Sequence, residues 1–291
     1  MGNPYAGLGP PDAHTKVAVE ALSAILRDPS ISAHHLAAAT ALTAIFERLR
    51  THALPFVATA LPLLIGCVRT AEVHQRDAAL ERIVAFVRTV GLPVRPFLRA
   101  LLQLVDESWA GCQLHAIGLV EALAGALGEF ARAPLQSLAP KLLTVLHLDA
   151  SDGRAPTLRA LRALRNLGAQ LGEHTHTLVP ALMRLAEAAG APLGARAGAL
   201  RTLAFLTREL SIVEHASRVV QTCHRLLAHG PRELQPDECA LLCLLAAQMG
   251  DAYLVFAMAV QPTLNARRIE HAHYQAMVGA LVLGAAPPPF G

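Results

Sequence analysis

Apolar residues recur along this chain at helical spacing. Leu80, Ile83, Val84 and Val87 fall at i, i+3, i+4 and i+7, the positions of one helix face. Phe97, Leu98, Leu101, Leu102 and Val105 form a second such stripe. No sustained period-two run occurs and β-branched residues are scattered, so strands are not predicted. The pattern predicts a helix over 16–27, stopped by Asp28-Pro29-Ser30. A second starts at Ser30 or Ser32, either of which can cap it, and ends near Leu49. Further helices are predicted near 55–70, 74–90, 95–107, 110–127, 135–148, 155–171, 176–189, 194–209, 213–229, 237–249, 252–264 and 267–283. Asp106-Glu107-Ser108 reads as a helix start leading into Trp109, the sole tryptophan, which is expected to pack between helices.

The pattern is itself periodic. Residues 54–65 read Leu-Pro-Phe-Val-Ala-Thr-Ala-Leu-Pro-Leu-Leu-Ile, and degraded copies follow about every 40 residues. Pro55, Pro96 and Pro134 lie 41 and 38 apart, and Pro140 and Pro180 lie 40 apart. Leu127-Gly128-Glu129, Leu171-Gly172-Glu173 and Met249-Gly250-Asp251 are each expected to close a helix. A period near 40 with two helices per unit is the signature of HEAT or armadillo solenoids. Short Gly-, Pro- or Asp-bearing links favour antiparallel neighbours. The expected fold is an all-α, right-handed HEAT superhelix of about seven antiparallel helix pairs over 13–284. Segments 1–12 and 285–291, rich in Gly and Pro, are expected to be disordered. In this register residues 16–27 read as the second helix of a pair whose first helix is missing.

Composition narrows the function classes. Apolar residues make up 53 % of the 291 and aromatics 4 %, so the core is Leu, Ala and Val, with few rings to stack on bases. A net charge of +3 from 25 basic and 22 acidic residues does not call for nucleic acid. The longest uncharged stretch, Ala53 to Val68, holds two prolines and is shorter than the roughly 20 residues a spanning helix needs, so no transmembrane helix is expected. Neither a signal peptide nor a myristoylation motif is read at the start, where Ala6 stands in place of Ser or Thr. Five cysteines at 67, 112, 223, 239 and 243 lack disulfide-like spacing and fall in apolar helical patterns, which reads as buried reduced thiols.

Catalytic and metal motifs are not found. The pairs His34-His35, His174-x-His176 and His271-x-His273 lack the His-Glu-x-x-His arrangement of a zinc helix, and Cys239-x-x-x-Cys243 with His224 falls short of four converging ligands. There is no phosphate-binding loop, no Gly-x-Ser-x-Gly and no kinase signature. The densest basic helix carries Arg154, Arg159, Arg162 and Arg165. Solvated arginines are its ordinary reading; contact with an acidic or phosphorylated partner segment is the functional one.

Several stretches resemble the amino-terminal HEAT region of the TOR (target of rapamycin) kinases. They begin with Leu26-Arg27-Asp28-Pro29-Ser30-Ile31-Ser32-Ala33-His34-His35 and continue with Glu129-Phe130 and Leu138-Ala139-Pro140-Lys141-Leu142-Leu143. Asp149 to Arg154, Ala191-Pro192-Leu193 with Arg196, Leu206 to Leu210, Ala216 to Val220, Arg268-Ile269 and His273-Tyr274 follow in the family's order. The resemblance covers about residues 16 to 280. It implies a scaffold segment of a giant serine/threonine kinase, holding Raptor- or Rictor-like subunits and supporting a homodimer in the intact protein. ATP and magnesium would belong to a distant kinase domain, so no cofactor and no catalytic residue is expected here. It also implies a cytoplasmic location, with peripheral endomembrane attachment an option for the intact complex. The alternative is a free-standing HEAT adaptor of transport-receptor or phosphatase-scaffold type.

Overall fold

The computed structural model describes residues 13–285 and Pro288, and every regular element among them is helical. The expectations for 1–12 and for the tail after Ala285 fall, apart from Pro288, outside the described residues. The chain forms two compact units divided between Leu135 and Gln136. The first contains α1 (Ala13–Arg27), α2 (His35–Leu49), α3 (Val57–Thr70), α4 (Val73–Val90), α5 (Leu98–Ser108) and α6 (Gln113–Leu127). The short α7 (Arg132–Gln136) carries the chain across the division. The second contains α8 (Ala139–Leu148), α9 (Ala155–Leu167), α10 (Thr175–Glu187), α11 (Leu193–Thr207), α12 (Ala216–His229), α13 (Gln235–Met249), α14 (Leu254–Arg267) and α15 (Ala272–Val282).

Each unit has two layers. In the first, α2, α4 and α6 pack side by side, while α1, α3 and α5 cover them as pair partners. In the second, α9, α11, α13 and α15 form one layer and α8, α10, α12 and α14 the other. This is the HEAT arrangement of antiparallel pairs. The helix at 13–27 is not the second member of a broken pair. α1 packs on α2 and α3 and buries Val19, Ser23 and Leu26, so it is the first helix of its pair.

The junctions between pairs explain the register. A positive-φ residue follows the second helix at Arg50 (φ 43), Gly91 (φ 70), Gly128 (φ 48), Gly168 (φ 50) and Gly250 (φ 58), and a 3₁₀ segment leads into the next pair. In the fourth pair the break falls at Gly168 and not at Gly172, which lies inside the 3₁₀ segment, so that helix ends earlier than expected. A side chain at these angles is strained, because Cβ crowds the backbone; glycine is the ordinary occupant and Arg50 the exception. At α11 the break is made differently. Arg208 keeps helical angles, and Gln248 of α13 donates to the carbonyls of Thr207 (2.6 Å) and Leu210 (2.7 Å) and accepts from Ile212 N (3.1 Å).

Two further expectations shift. Neither Ser30 nor Ser32 caps α2: its N-cap residue is His34, with no side-chain cap, and Asp28 instead caps the preceding 3₁₀ segment Pro29–His34, its carboxylate accepting from Ser30 N at 2.9 Å. Trp109 is half-buried but follows the end of α5 and does not begin a helix. The runs Pro29–Thr70 and Arg232–Arg267 are apolar enough to cross a membrane by length and composition. Each is broken by a 3₁₀ segment into helices of 14 or 15 residues, about 21–23 Å long and short of a bilayer's hydrocarbon thickness.

Polar groups buried in the second unit carry their own cost. Glu238 is fully buried on α13, neither carboxyl oxygen finds a hydrogen-bond partner, and burial pushes its pKa up to about 8 against the pull of Arg196. Arg196 donates from Nε to Ala186 O at 2.8 Å, tying α11 to the end of α10.

Two outcomes follow. Arg50→Gly relieves a strained backbone and should raise unfolding free energy by about 1 kcal/mol in urea melts; a loss of stability would show that the Arg50 side chain matters more than its strain. Glu238 holds its proton in the folded state well above pH 4.5, where the unfolded carboxyl loses it. Stability should therefore fall as pH rises from 4.5 to about 8, by at most about 1.4 kcal/mol per pH unit from this group. Glu238→Gln should flatten that slope, and equal slopes in both proteins would contradict the assignment.

Candidate protein-binding face

The arginine helix α9 begins from an unusual start. Arg154 sits at its N-cap in the left-handed region (φ 45, ψ 43) and supplies no side-chain cap. Asp149 does that work: its Oδ2 accepts from Thr157 N (2.9 Å) and Thr157 Oγ1 (2.7 Å), and its Oδ1 from Ser151 N (3.0 Å) and Ser151 Oγ (2.6 Å). The same Asp-x-Ser turn occurs at Asp28 and Ser30. Burial works against the Asp149 charge, but the bonds from Ser151 and Thr157 prevail and hold its pKa below the usual carboxylate value.

From that start α9 buries Thr157, Ala160, Leu161, Ala163, Leu164 and Leu167. Arg159 is half-buried, Arg162 exposed and Arg165 half-buried. The four arginines do not form one cluster: Arg154 and Arg165, eleven positions apart, are separated by about 16 Å along the axis. Arg165 joins residues the sequence did not single out. With Arg201, Phe205 and Arg208 of α11 and its end, and Asp237 and Leu244 of α13, it lines a shallow groove of about 220 Å³. Arg201 Nε donates to both carboxylate oxygens of Asp237 at 3.0 Å. Phe205 is 41 % exposed, unusual for an aromatic in this chain. The spacing held the signal: Arg165, Arg201 and Asp237 lie 36 apart, one helical turn short of the repeat.

The face is electrostatically one-sided. The helices α9 and α11 contain no Asp or Glu, whereas their counterparts α2, α4 and α6 carry Glu47, Asp77, Glu81 and Glu121. Among the described residues no group of three or more His, Cys, Asp or Glu is placed to hold a metal. Several histidines have structural tasks: His35 Nε2 meets Asp28 O (2.9 Å), His224 meets Thr263 (2.6 Å), and His271 Nδ1 accepts from Tyr274 N (3.1 Å). All five cysteines are free and buried, and burial pushes the Cys239 and Cys243 thiols up to about 12.

Comparison with known proteins places this architecture. The family model described as the serine/threonine-protein kinase mTOR domain matches residues 9–91. The chain is 34 % identical over 268 residues to the serine/threonine-protein kinase mTor of Drosophila melanogaster, covering 91 % of this chain and 11 % of that protein. It belongs to the TOR kinase family. TOR2 of Saccharomyces cerevisiae is 29 % identical over 269 residues (91 % of this chain, 11 % of that protein). TOR of Arabidopsis thaliana is 29 % identical over 276 residues, with the same two shares. This TOR-family chain thus corresponds to a stretch of the amino-terminal helical-repeat region, about a ninth of its relatives' length.

Asp149→Ala should cost about 1–2 kcal/mol, the usual loss on removing a cap, and should raise hydrogen exchange first at the start of α9. Because the Asp149 pKa is depressed, its contribution is full above pH 3.8 and fades on acidification through the lower folded value, so the wild type and the variant should converge in acid. Exchange that rose evenly across the second unit would refute a local cap.

Proposed function

We propose that this chain is a scaffold segment of a nutrient-responsive serine/threonine kinase, holding Raptor- or Rictor-like regulatory subunits and supporting assembly, including a homodimer, of the intact complex in the cytoplasm. The observation that carries the reading is the 34 % identity to a serine/threonine kinase over nearly the whole chain. Phosphoryl transfer, with its ATP and magnesium, would then lie in a kinase domain elsewhere in the intact protein. This stretch supplies surface: stacked helix pairs offer extended faces to partners. The contact we assign is the arginine-bearing face of α9, with Arg154, Arg159, Arg162 and Arg165, where guanidinium groups can meet carboxylates or phosphates in forked pairs.

The test uses the full-length protein purified natively from its own cells. It should phosphorylate a serine/threonine peptide, and Arg159→Glu with Arg162→Glu should lower co-purification of a Raptor- or Rictor-like subunit about tenfold, the effect of roughly 1.4 kcal/mol. Absence of kinase activity would end the kinase reading. Unchanged subunit loading would remove α9 from the contact.

A further inference from the structure

We infer that the groove spanning α9, α11 and α13 is a docking site for a short acidic segment of a partner protein, one with an apolar side chain among its carboxylates. The inference deepens the scaffold reading and rests on it.

Charge complementarity selects the occupant. The guanidinium groups of Arg165 and Arg201 line a groove with one carboxylate, Asp237; Arg208, also in the lining, is engaged in an interaction of its own and is not counted. That carboxylate is engaged by Arg201 through Nε alone. Among the described residues Arg165 reaches no carboxylate, and α9 and α11 have none to offer. An arginine-rich rim of this kind is matched by carboxylates arriving from outside, which form charge-assisted, forked hydrogen bonds.

The floor sets the second requirement. Phe205 presents an exposed ring beside Leu244, Ala204 and Ala240. An isolated exposed apolar residue needs no explanation, but an aromatic set beside arginines within a groove is the composition of an interface anchor. The volume of about 220 Å³ lies below the range of about 300–1,000 Å³ typical of small-molecule sites. It suits one aliphatic or aromatic side chain, flanked by acids spread along the peptide. The charges come from two helices around an apolar floor, which favours several dispersed carboxylates over a single compact anion.

The 291-residue chain can be titrated into a fluorescein-labelled peptide rich in aspartate and glutamate with two central leucines, read by anisotropy. Saturable, salt-sensitive binding is expected. Arg165→Glu and, separately, Phe205→Ala should each weaken it about tenfold or more. Both sites are at the surface, and circular dichroism should confirm the fold. Arg218→Glu, on the exposed side of α12, changes net charge as Arg165→Glu does but lies in the other layer, and should leave binding within about twofold. Equal weakening by Arg218→Glu would reduce the effect to overall charge and overturn the proposal. Equal binding of a peptide with the leucines replaced by serine would overturn it too, as would no binding at low salt. Any of these could occur while full-length kinase activity and subunit loading proceed as proposed above, so the two readings fail separately.

Discussion

Each inner second-layer helix is wedged among three others, and that confinement governs the rest of the structure. α4 packs against α2, α6 and its own partner α3; α11 packs against α9, α13 and α10. A helix held on three sides must be apolar or small around most of its circumference. α11 accordingly buries Ala195, Ala197, Ala199, Leu200, Thr202, Leu203, Leu206 and Thr207. The same confinement explains the alanine-rich composition. A Cβ added at Gly198 of α11 would meet Leu161 Cδ1 of α9 at 3.0 Å, tighter than ordinary contact, so α9 and α11 pack closely here and a small residue suits the position. What remains for the outside of α11 is the fourth side, where Arg201 is exposed.

The 40-residue period is also the distance at which polar groups of neighbouring pairs meet. Arg69 forks onto Glu107 at 2.9 and 3.1 Å, His115 meets Asp77 at 2.9 Å, and Arg225 pairs with Glu187, each 38 residues apart. Such exposed pairs add little stability one by one. Their value lies in register: a helix slipped by one turn would lose its apolar contacts and these matches together.

How much could be read from the sequence depended on how many sides of a helix are covered. First-layer helices show a clean stripe, as in α12 with Val219, Val220, Cys223, Leu226 and Leu227, and their existence and limits were legible. Of the second-layer helices, α4 and α9 keep a stripe, whereas α6, α11 and α13, buried on more of their circumference, were found by length and punctuation instead. The junctions were half-legible: Gly128 and Gly250 marked true breaks, but Gly168 was passed over for Gly172, and Arg50 gave no glycine to see. Pairing of α1 was misjudged because the period fixes spacing and not which helix comes first. In the candidate face, Arg165 was visible as one of a basic series. Arg201, Phe205 and Arg208 were not, because they come together only across helices.

In the second unit, two junctions are stitched by residues that come later in the chain. Glu209, after α11, accepts from Ala169 N at 2.7 Å and so fastens the break that follows α9. Gln248, at the end of α13, fastens the break that follows α11. These two junctions are therefore completed by residues about 40 positions later. On the ribosome, where the earlier pairs emerge first, the carbonyls of Thr207 and Leu210 must stay hydrated until α13 has been made and has docked. At these two steps the tip of the growing chain is its least finished part, and the later pair locks the one before it.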